Sequence, residues 1–386
     1  MKKSDLDTPC LILDADMLEA NIAKMQQEVT ARGKQLRPHA KTHKCSALAL
    51  RQLQAGALGV CAAKVSEAEA LVEKGVTGVL VTGPFATPRK AERLAACVGR
   101  SPSLMCAVDS TLGVELLSAA LRAKGLTMDV LIDLDVGLHR TGARHETALG
   151  LAESALAHPN LRLRGIQAYA GQLQHIKSWE ERKRESLAAL STAAEIFRAL
   201  RKRIPACDIF SASGTGTFDI DPGIGELTEL QAGSYACMDT EYRDLGSASD
   251  PREFATFLPA LRVLSTVVSA NQSGFVTIDA GLKALYRDGG TPRVYSMGAA
   301  DPSAWTYDWF GDEYGKLTPA GRKAPAAGSG APVSRASGEP LLPLGTVVEL
   351  LPSHCDPTIN LFDQFYVCRG DIIEEVWPID LRGCSQ

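Results

Sequence analysis

With 386 residues the chain exceeds the usual range of one domain, and 45% hydrophobic with 22% charged residues is the balance of a globular protein with a sizeable core. A formal net charge of −4 gives no broad electrostatic field, so nucleic acid is not an expected partner. Met1-Lys2-Lys3-Ser4-Asp5-Leu6-Asp7 is too polar for a signal peptide, and no apolar run reaches the roughly 18 to 20 residues of a spanning helix; a cytoplasmic protein with no membrane partner is expected.

From about residue 16 to 235, short apolar runs alternate with stretches of amphipathic helical period, the pattern of βα units around a parallel sheet. The predicted strands are Gln35–Lys41, Gly59–Ala62, Gly78–Thr82, Leu104–Val108, Val130–Val136, Leu163–Ala170, Asp208–Ala212 and Glu229–Tyr235. Helices are predicted at Asp16–Arg32, Ser66–Lys74, Thr87–Cys97, Ser110–Lys124 and Trp179–Arg201, several opened by Ser, Thr or Asp as N-cap. Eight alternations predict a (β/α)₈ barrel, with a doubly wound α/β sheet as the alternative.

After about residue 250 the texture changes. Phe257–Val268, Gly274–Asp279, Thr346–Leu351 and Phe362–Arg369 read as strands without long helices between them. The expected division is a barrel over 15–245 and a β-rich domain over 246–386 joined by residues 1–14. Lys316–Pro340, rich in Gly, Ala, Pro and Ser, reads as a mobile surface loop. Ten cysteines, scattered from Cys10 to Cys384 without CxxC pairs, read mostly as reduced core thiols.

Leu36-Arg37-Pro38-His39-Ala40-Lys41-Thr42-His43-Lys44 puts Lys41 at the end of the first barrel strand, on the face where barrel enzymes keep their chemistry. A Schiff-base lysine must be partly neutral, and neighbouring cations such as His43 and Lys44 would favour that. Position alone leaves a solvated loop lysine as the commoner reading. Ser211-Ala212-Ser213-Gly214-Thr215-Gly216-Thr217 follows the seventh strand and Ala232-Gly233-Ser234-Tyr235 lies at the eighth, where barrels bind phosphate through freed backbone N–H groups and hydroxyls.

Pro38 to Lys44, the Ser-Gly-Thr loop, Asp279-Ala280-Gly281-Leu282-Lys283 and Pro352-Ser353-His354-Cys355-Asp356 together resemble the D-threonine aldolase and D-serine dehydratase group, relatives of alanine racemase, along nearly the whole chain. The resemblance implies a pyridoxal 5′-phosphate barrel followed by a β domain, and a homodimer whose active sites are each completed by the partner. It implies Lys41 as the Schiff-base lysine, with Ser213, Gly214, Thr215, Gly233, Ser234 and Tyr235 around the phosphate. Arg140, just after the fifth strand, would reach the phenolic oxygen or a substrate carboxylate. Tyr169, on the sixth strand, is similar to the tyrosine that hydrogen-bonds the pyridine nitrogen. Asp239, Tyr242, Tyr286 and Asp312 to Tyr314 are expected near the mouth.

His354 and Asp356 are separated by one residue near a strand end, so a period of two points both the same way and turns Cys355 away. Within the resemblance the pair reads as ligands of a divalent metal: Mn²⁺ first, with Mg²⁺, Co²⁺ or Zn²⁺ as alternatives. The dehydratase-like members carry His-x-Cys and the aldolases His-x-Asp; this chain has Asp. The expected reaction is therefore retro-aldol cleavage of D-threonine and related D-3-hydroxy amino acids to glycine and an aldehyde, the metal acidifying the β-hydroxyl and His175 accepting its proton. β-Elimination, as in a D-serine or D-threo-3-hydroxyaspartate dehydratase, is the alternative, and a non-catalytic pyridoxal-phosphate carrier the second.

Overall fold

The computed structural model describes residues 1–272, 274–287, 289–321 and 342–386. They fall into two compact units: 21–235 with 244–255 and 383–386, and 1–20 with 236–243 and 256–382. Relative to the expected division, residues 15–20 and 236–243 belong to the β-rich unit and 246–255 with 383–386 to the barrel unit.

In chain order the chain first forms β1 (Cys10–Asp14) and α1 (Ala15–Ala31). The barrel strands follow as β2 (Gln35–Leu36), β3 (Cys61–Ala62), β4 (Leu80–Val81), β5 (Met105–Val108), β6 (Met128–Asp133), β7 (Leu161–Ala168), β8 (Ile209–Ala212) and β9 (Glu229–Leu230). All are parallel, in the order β2-β9-β8-β7-β6-β5-β4-β3. Bonds from Cys61 N to Pro38 O (2.8 Å) and Ala40 N to Cys61 O (2.8 Å) close the ring, and the doubly wound alternative falls. The strands lie where the apolar runs predict them. Several are shorter, because the chain bends away at their C-terminal ends to present polar groups.

Between them run α2 (Ser46–Gln54), α3 (Val65–Glu73), α4 (Pro88–Arg100), α5 (Thr111–Arg122), α6 (His145–Leu156) and α7 (Trp179–Arg203). Thr87, Ser110 and Ser178 cap α4, α5 and α7 through their hydroxyls, satisfying N–H groups that a helix start leaves orphaned. Cys61, Leu80, Met105 and Leu131, packed with Ile209, form an apolar core across five of the strands. One bulge matters for the site. Leu131 of β6 pairs with Gly165 of β7, skipping Arg164. Gly165 has φ +144°, and any Cβ there would strike the Ile209 carbonyl.

In the β-rich unit, α8 (Thr240–Arg243) precedes β10 (Leu261–Ser269), β11 (Val276–Ile278), β12 (Arg293–Ser296), β13 (Trp305–Trp309), β14 (Gly315–Pro319) and β15 (Val347–Leu351); α9 (Cys355–Ile359), β16 (Gln364–Arg369) and β17 (Ile372–Pro378) complete it. Its nine-stranded sheet runs β13-β14-β11-β10-β1-β16-β17, with β15 joining β10 and β12. Fully buried Arg262 ties it together, donating to Asp14 (3.0 Å) and forming an ion pair with Glu349 (2.7 Å). Lys316 to Pro319 are strand rather than loop; 322–340 of the expected loop lie outside the described residues.

Candidate active site

The C-terminal ends of the barrel strands surround a cavity of about 410 Å³, lined among others by Lys41, Asp133, Arg140, Gln167, Tyr169 and Gln231. Half-buried Lys41 sits in the turn after β2. Its backbone N donates to His39 Nδ1 (3.4 Å), so the neutral imidazole carries its proton on Nε2, 3.2 Å from Thr82 Oγ1. The expected neighbouring cations are engaged elsewhere. Lys44 pairs with Glu67 (2.7 Å), and buried His43 accepts the Cys45 N–H on Nδ1.

Arg140 stands in a loop pinned at its base and within itself. Asp135 N and Ala143 N bond Ala143 O and Asp133 O, while Asp135 Oδ1 accepts the Gly137 and His139 N–H groups, both at 3.0 Å. Such a closed loop costs the guanidinium little entropy to present. Tyr169 is the first residue beyond β7 and half-buried; Gly171 leaves its ring room, since a Cβ would lie 2.7 Å from Cε1.

Sequence reasoning missed the polar network that links these strand ends. Ser211 Oγ and Gln167 Oε1 accept from Gln231 Nε2 (2.8 and 3.2 Å), and Gln167 Nε2 donates to Asp133 Oδ1 (2.8 Å) and Thr82 O (3.1 Å). Burial pushes the Asp133 carboxyl up to about 7, aided by Asp109 and opposed by the Gln167 bond. A signal existed. Parallel barrel strands read as continuous apolar runs, and Asp133 and Gln167 are polar residues that break the pattern at the C-terminal ends of β6 and β7, as Asp129, Arg162 and Arg164 do nearer their starts. Lys64, another cavity cation, likewise went unnoticed.

The predicted phosphate residues are all buried and sit on two loops tied together by Tyr235 N donating to Thr215 Oγ1 (3.0 Å). Ser213, with φ +76°, touches Thr217 Oγ1 (3.3 Å), which donates to Asp221 (2.5 Å). Burial pushes the Asp221 carboxyl up to about 6 against hydrogen bonds from Ser186 and Thr217. Gly214 abuts Gln174, whose Oε1 accepts the Gly216 N–H (3.0 Å). Tyr235 OH accepts from Gln52 (3.0 Å). A Cβ on Gly233 would lie 2.5 Å from Thr42 Oγ1 and 2.9 Å from His39 O, so this loop passes directly against the Lys41 turn. Lys41, Arg140 and Tyr169 line one cavity, and the two hydroxyl-bearing loops, tied to each other, reach the Lys41 turn through Gly233; this set fits pyridoxal phosphate. His175 is exposed and does not line the cavity.

In the β-rich unit, His354 is the N-cap of α9 and Asp356 lies in its first turn. The strand-period argument for their common direction therefore fails: β15 ends at Leu351 and the chain turns into a helix. Cys355 is buried, and burial pushes its thiol well up, which makes it a poor thiolate ligand. One imidazole and one carboxylate fit a hard divalent ion that keeps water in its other positions; among the described residues no group of three or more His, Cys, Asp or Glu is arranged to hold a metal. Asp239 and Tyr242, expected near the mouth, are buried in the unit's own core, whereas Tyr286 and Tyr314 are exposed. Asp279, within a resemblance motif, accepts from Thr8 (2.5 Å) and Ser265 (2.6 Å) and so fastens the N-terminal segment to β10.

Comparison with known proteins places this architecture. The "Alanine racemase, N-terminal domain" profile matches residues 13–241 and the "Putative serine dehydratase domain" profile residues 260–368. The chain is 37% identical to a D-threonine aldolase of Arthrobacter sp. and 36% identical to a 3-hydroxy-D-aspartate aldolase of Paracoccus denitrificans, each over 99% of this chain and 94% of the relative. The solved D-threonine aldolase of Filomicrobium marinum superposes with a TM-score of 0.89 at 34% identity, covering 100% of this chain and 98% of that one. A D-threo-3-hydroxyaspartate dehydratase, solved as a cysteine variant in metal-free form, is more distant, at 26% identity and a TM-score of 0.81 over 98% of both chains. The chain is thus a lyase belonging to the D-threonine aldolase family, built on the alanine racemase-type barrel.

Proposed function

We propose that this chain cleaves D-threonine and related D-3-hydroxy amino acids to glycine and an aldehyde, using pyridoxal 5′-phosphate in the barrel cavity and a divalent metal, Mn²⁺ first, at His354 and Asp356. The observation that carries the reading is the Lys41 cavity, where Arg140 and Tyr169 face the same space and the Gly233 loop adjoins. Lys41 holds the cofactor, and Ser213, Gly214, Thr215, Gly233, Ser234 and Tyr235 hold its phosphate. Arg140 would bind the phenolic oxygen or the substrate carboxylate, and the Tyr169 hydroxyl would hydrogen-bond the ring nitrogen. Bound there, pyridoxal phosphate supplies a sink for the electron pair released as the Cα–Cβ bond breaks. The metal supplies Lewis acidity towards the β-oxygen. His175, exposed after Gln174 and outside the cavity lining, is the proposed acceptor of the β-hydroxyl proton on the chemistry of its imidazole, a role it fills only if it meets the substrate there.

A homodimer is proposed with it, supported by the exposed Tyr286, Phe310 and Tyr314 of the β-rich unit. A cytoplasmic setting is supported by ten free cysteines, nine of them buried. Incubation with D-threonine, with and without chelator, tests the reaction: glycine and acetaldehyde that vanish with chelator are expected. Formation of 2-oxobutyrate and ammonia would sink the aldolase in favour of the dehydratase, and no turnover alongside bound cofactor would favour the carrier.

A further inference from the structure

Nδ1 of His354 is buried and has no hydrogen-bond partner among the described residues, although about a quarter of the side chain is exposed. The carboxylate paired with it is Glu241, with Oε2 at 3.7 Å. That proximity is built in. Thr240 N donates to Pro352 O (3.1 Å), Glu241 N to Ser353 O (3.2 Å) and Cys355 N to Asp239 Oδ2 (2.9 Å), lacing α8 to the segment that carries both candidate ligands. Gly289, at φ +84°, leaves room for the Glu241 carboxylate, which any Cβ there would overlap. Asp239 is the other acid close by, but its two oxygens already accept the Tyr242 and Cys355 N–H groups.

An imidazole that gives one nitrogen to a metal carries its proton on the other, and that N–H needs an acceptor that fixes tautomer and ring plane. Because Nδ1 is the buried nitrogen, the exposed edge of the ring carries Nε2. We propose that Glu241 is a positioning residue: it takes the Nδ1–H of His354 and so presents Nε2 to the divalent ion. This rests on the metal reading given above. A small rotation of either side chain brings 3.7 Å within hydrogen-bond reach.

The test is Mn²⁺ affinity of the cofactor-loaded protein, read by titration calorimetry rather than by turnover. Glu241→Ala is expected to weaken binding roughly 10–100-fold, and Glu241→Gln, whose amide oxygen still accepts the N–H, to stay within a few-fold of the unmodified protein. Unchanged affinity in Glu241→Ala overturns the inference. So does Glu241→Gln as weak as Glu241→Ala, since that would make Glu241 a ligand itself. His354→Ala separates the two levels: if it binds Mn²⁺ like the unmodified protein the metal reading fails and takes the inference with it, whereas loss there with no effect of Glu241→Ala refutes the inference alone.

Discussion

The two units build their chemistry in opposite ways. In the barrel, Lys41, Asp133, Arg140, Gln167, Tyr169 and Gln231 come from the ends of four strands, β2, β6, β7 and β9, and converge on one cavity because parallel strands all finish at the same face. In the β-rich unit the candidate ligands are two residues apart at the start of one short helix, with a carboxylate from a distant segment beside them. A barrel site is positioned by architecture and tolerates local irregularity. A site on one helix cap depends on a few local hydrogen bonds, and its supporting residues obey no general rule.

The largest expected effect separates the two sites outright. Lys41→Ala should abolish the cofactor's imine absorbance and lower activity roughly a thousandfold or more, while leaving Mn²⁺ affinity in place; a persisting imine band would remove Lys41 from its role. Next comes the barrel's own polar network. The Asp133 carboxyl is held near 7 against an ordinary value of 3.8, so between those values the folded state keeps a proton that the unfolded chain has lost. Stability is therefore lost as pH rises through that window, by up to about 4 kcal/mol. Asp133→Asn should gain on the unmodified protein in denaturation midpoint between pH 5 and pH 8; equal differences at both would show that Asp133 titrates normally.

Asp356→Asn sharpens the comparison from the other side. Activity should fall about a hundredfold with cofactor absorbance unchanged, and parallel loss of cofactor would show that the two sites are not separable in this way. Gly233→Ala is the smallest. Its Cβ would press on Thr42 Oγ1 and His39 O, so cofactor affinity should weaken about tenfold at constant Mn²⁺ affinity. Affinity equal to the unmodified protein would mean that the loop yields without disturbing the Lys41 turn.

Side-chain caps announce three of the helices, Thr87, Ser110 and Ser178 for α4, α5 and α7, while α3 is legible from its apolar period although the Lys64 side chain makes no cap bond. Helices α2 and α6 begin at Cys45 and Arg144 without a side-chain cap bond, and no strong start signal marks them. Strands β12 and β13 are half-exposed with mixed burial, so their alternation is faint. The His354 and Asp356 pair was found by resemblance, and the strand geometry assumed for it was wrong, because a turn into α9 is set by Thr358 Oγ1 bonding His354 O (2.8 Å) and by Asp239 holding Cys355 N.

By itself the sequence determined the eightfold alternation, the strand end that carries Lys41 and the two hydroxyl loops, because each of these is encoded by neighbours within a few residues. Only the tertiary structure decided that Asp133, Gln167, Gln231 and Ser211 form one network, that His39 rather than His43 or Lys44 accompanies Lys41, and that Glu241 stands beside His354. Apart from the His39 turn, which is local, those contacts join residues from about twenty to more than a hundred positions apart. Local periodicity and propensity carry no information about them; they follow from the closure of the barrel and the lacing of α8 to the segment before α9.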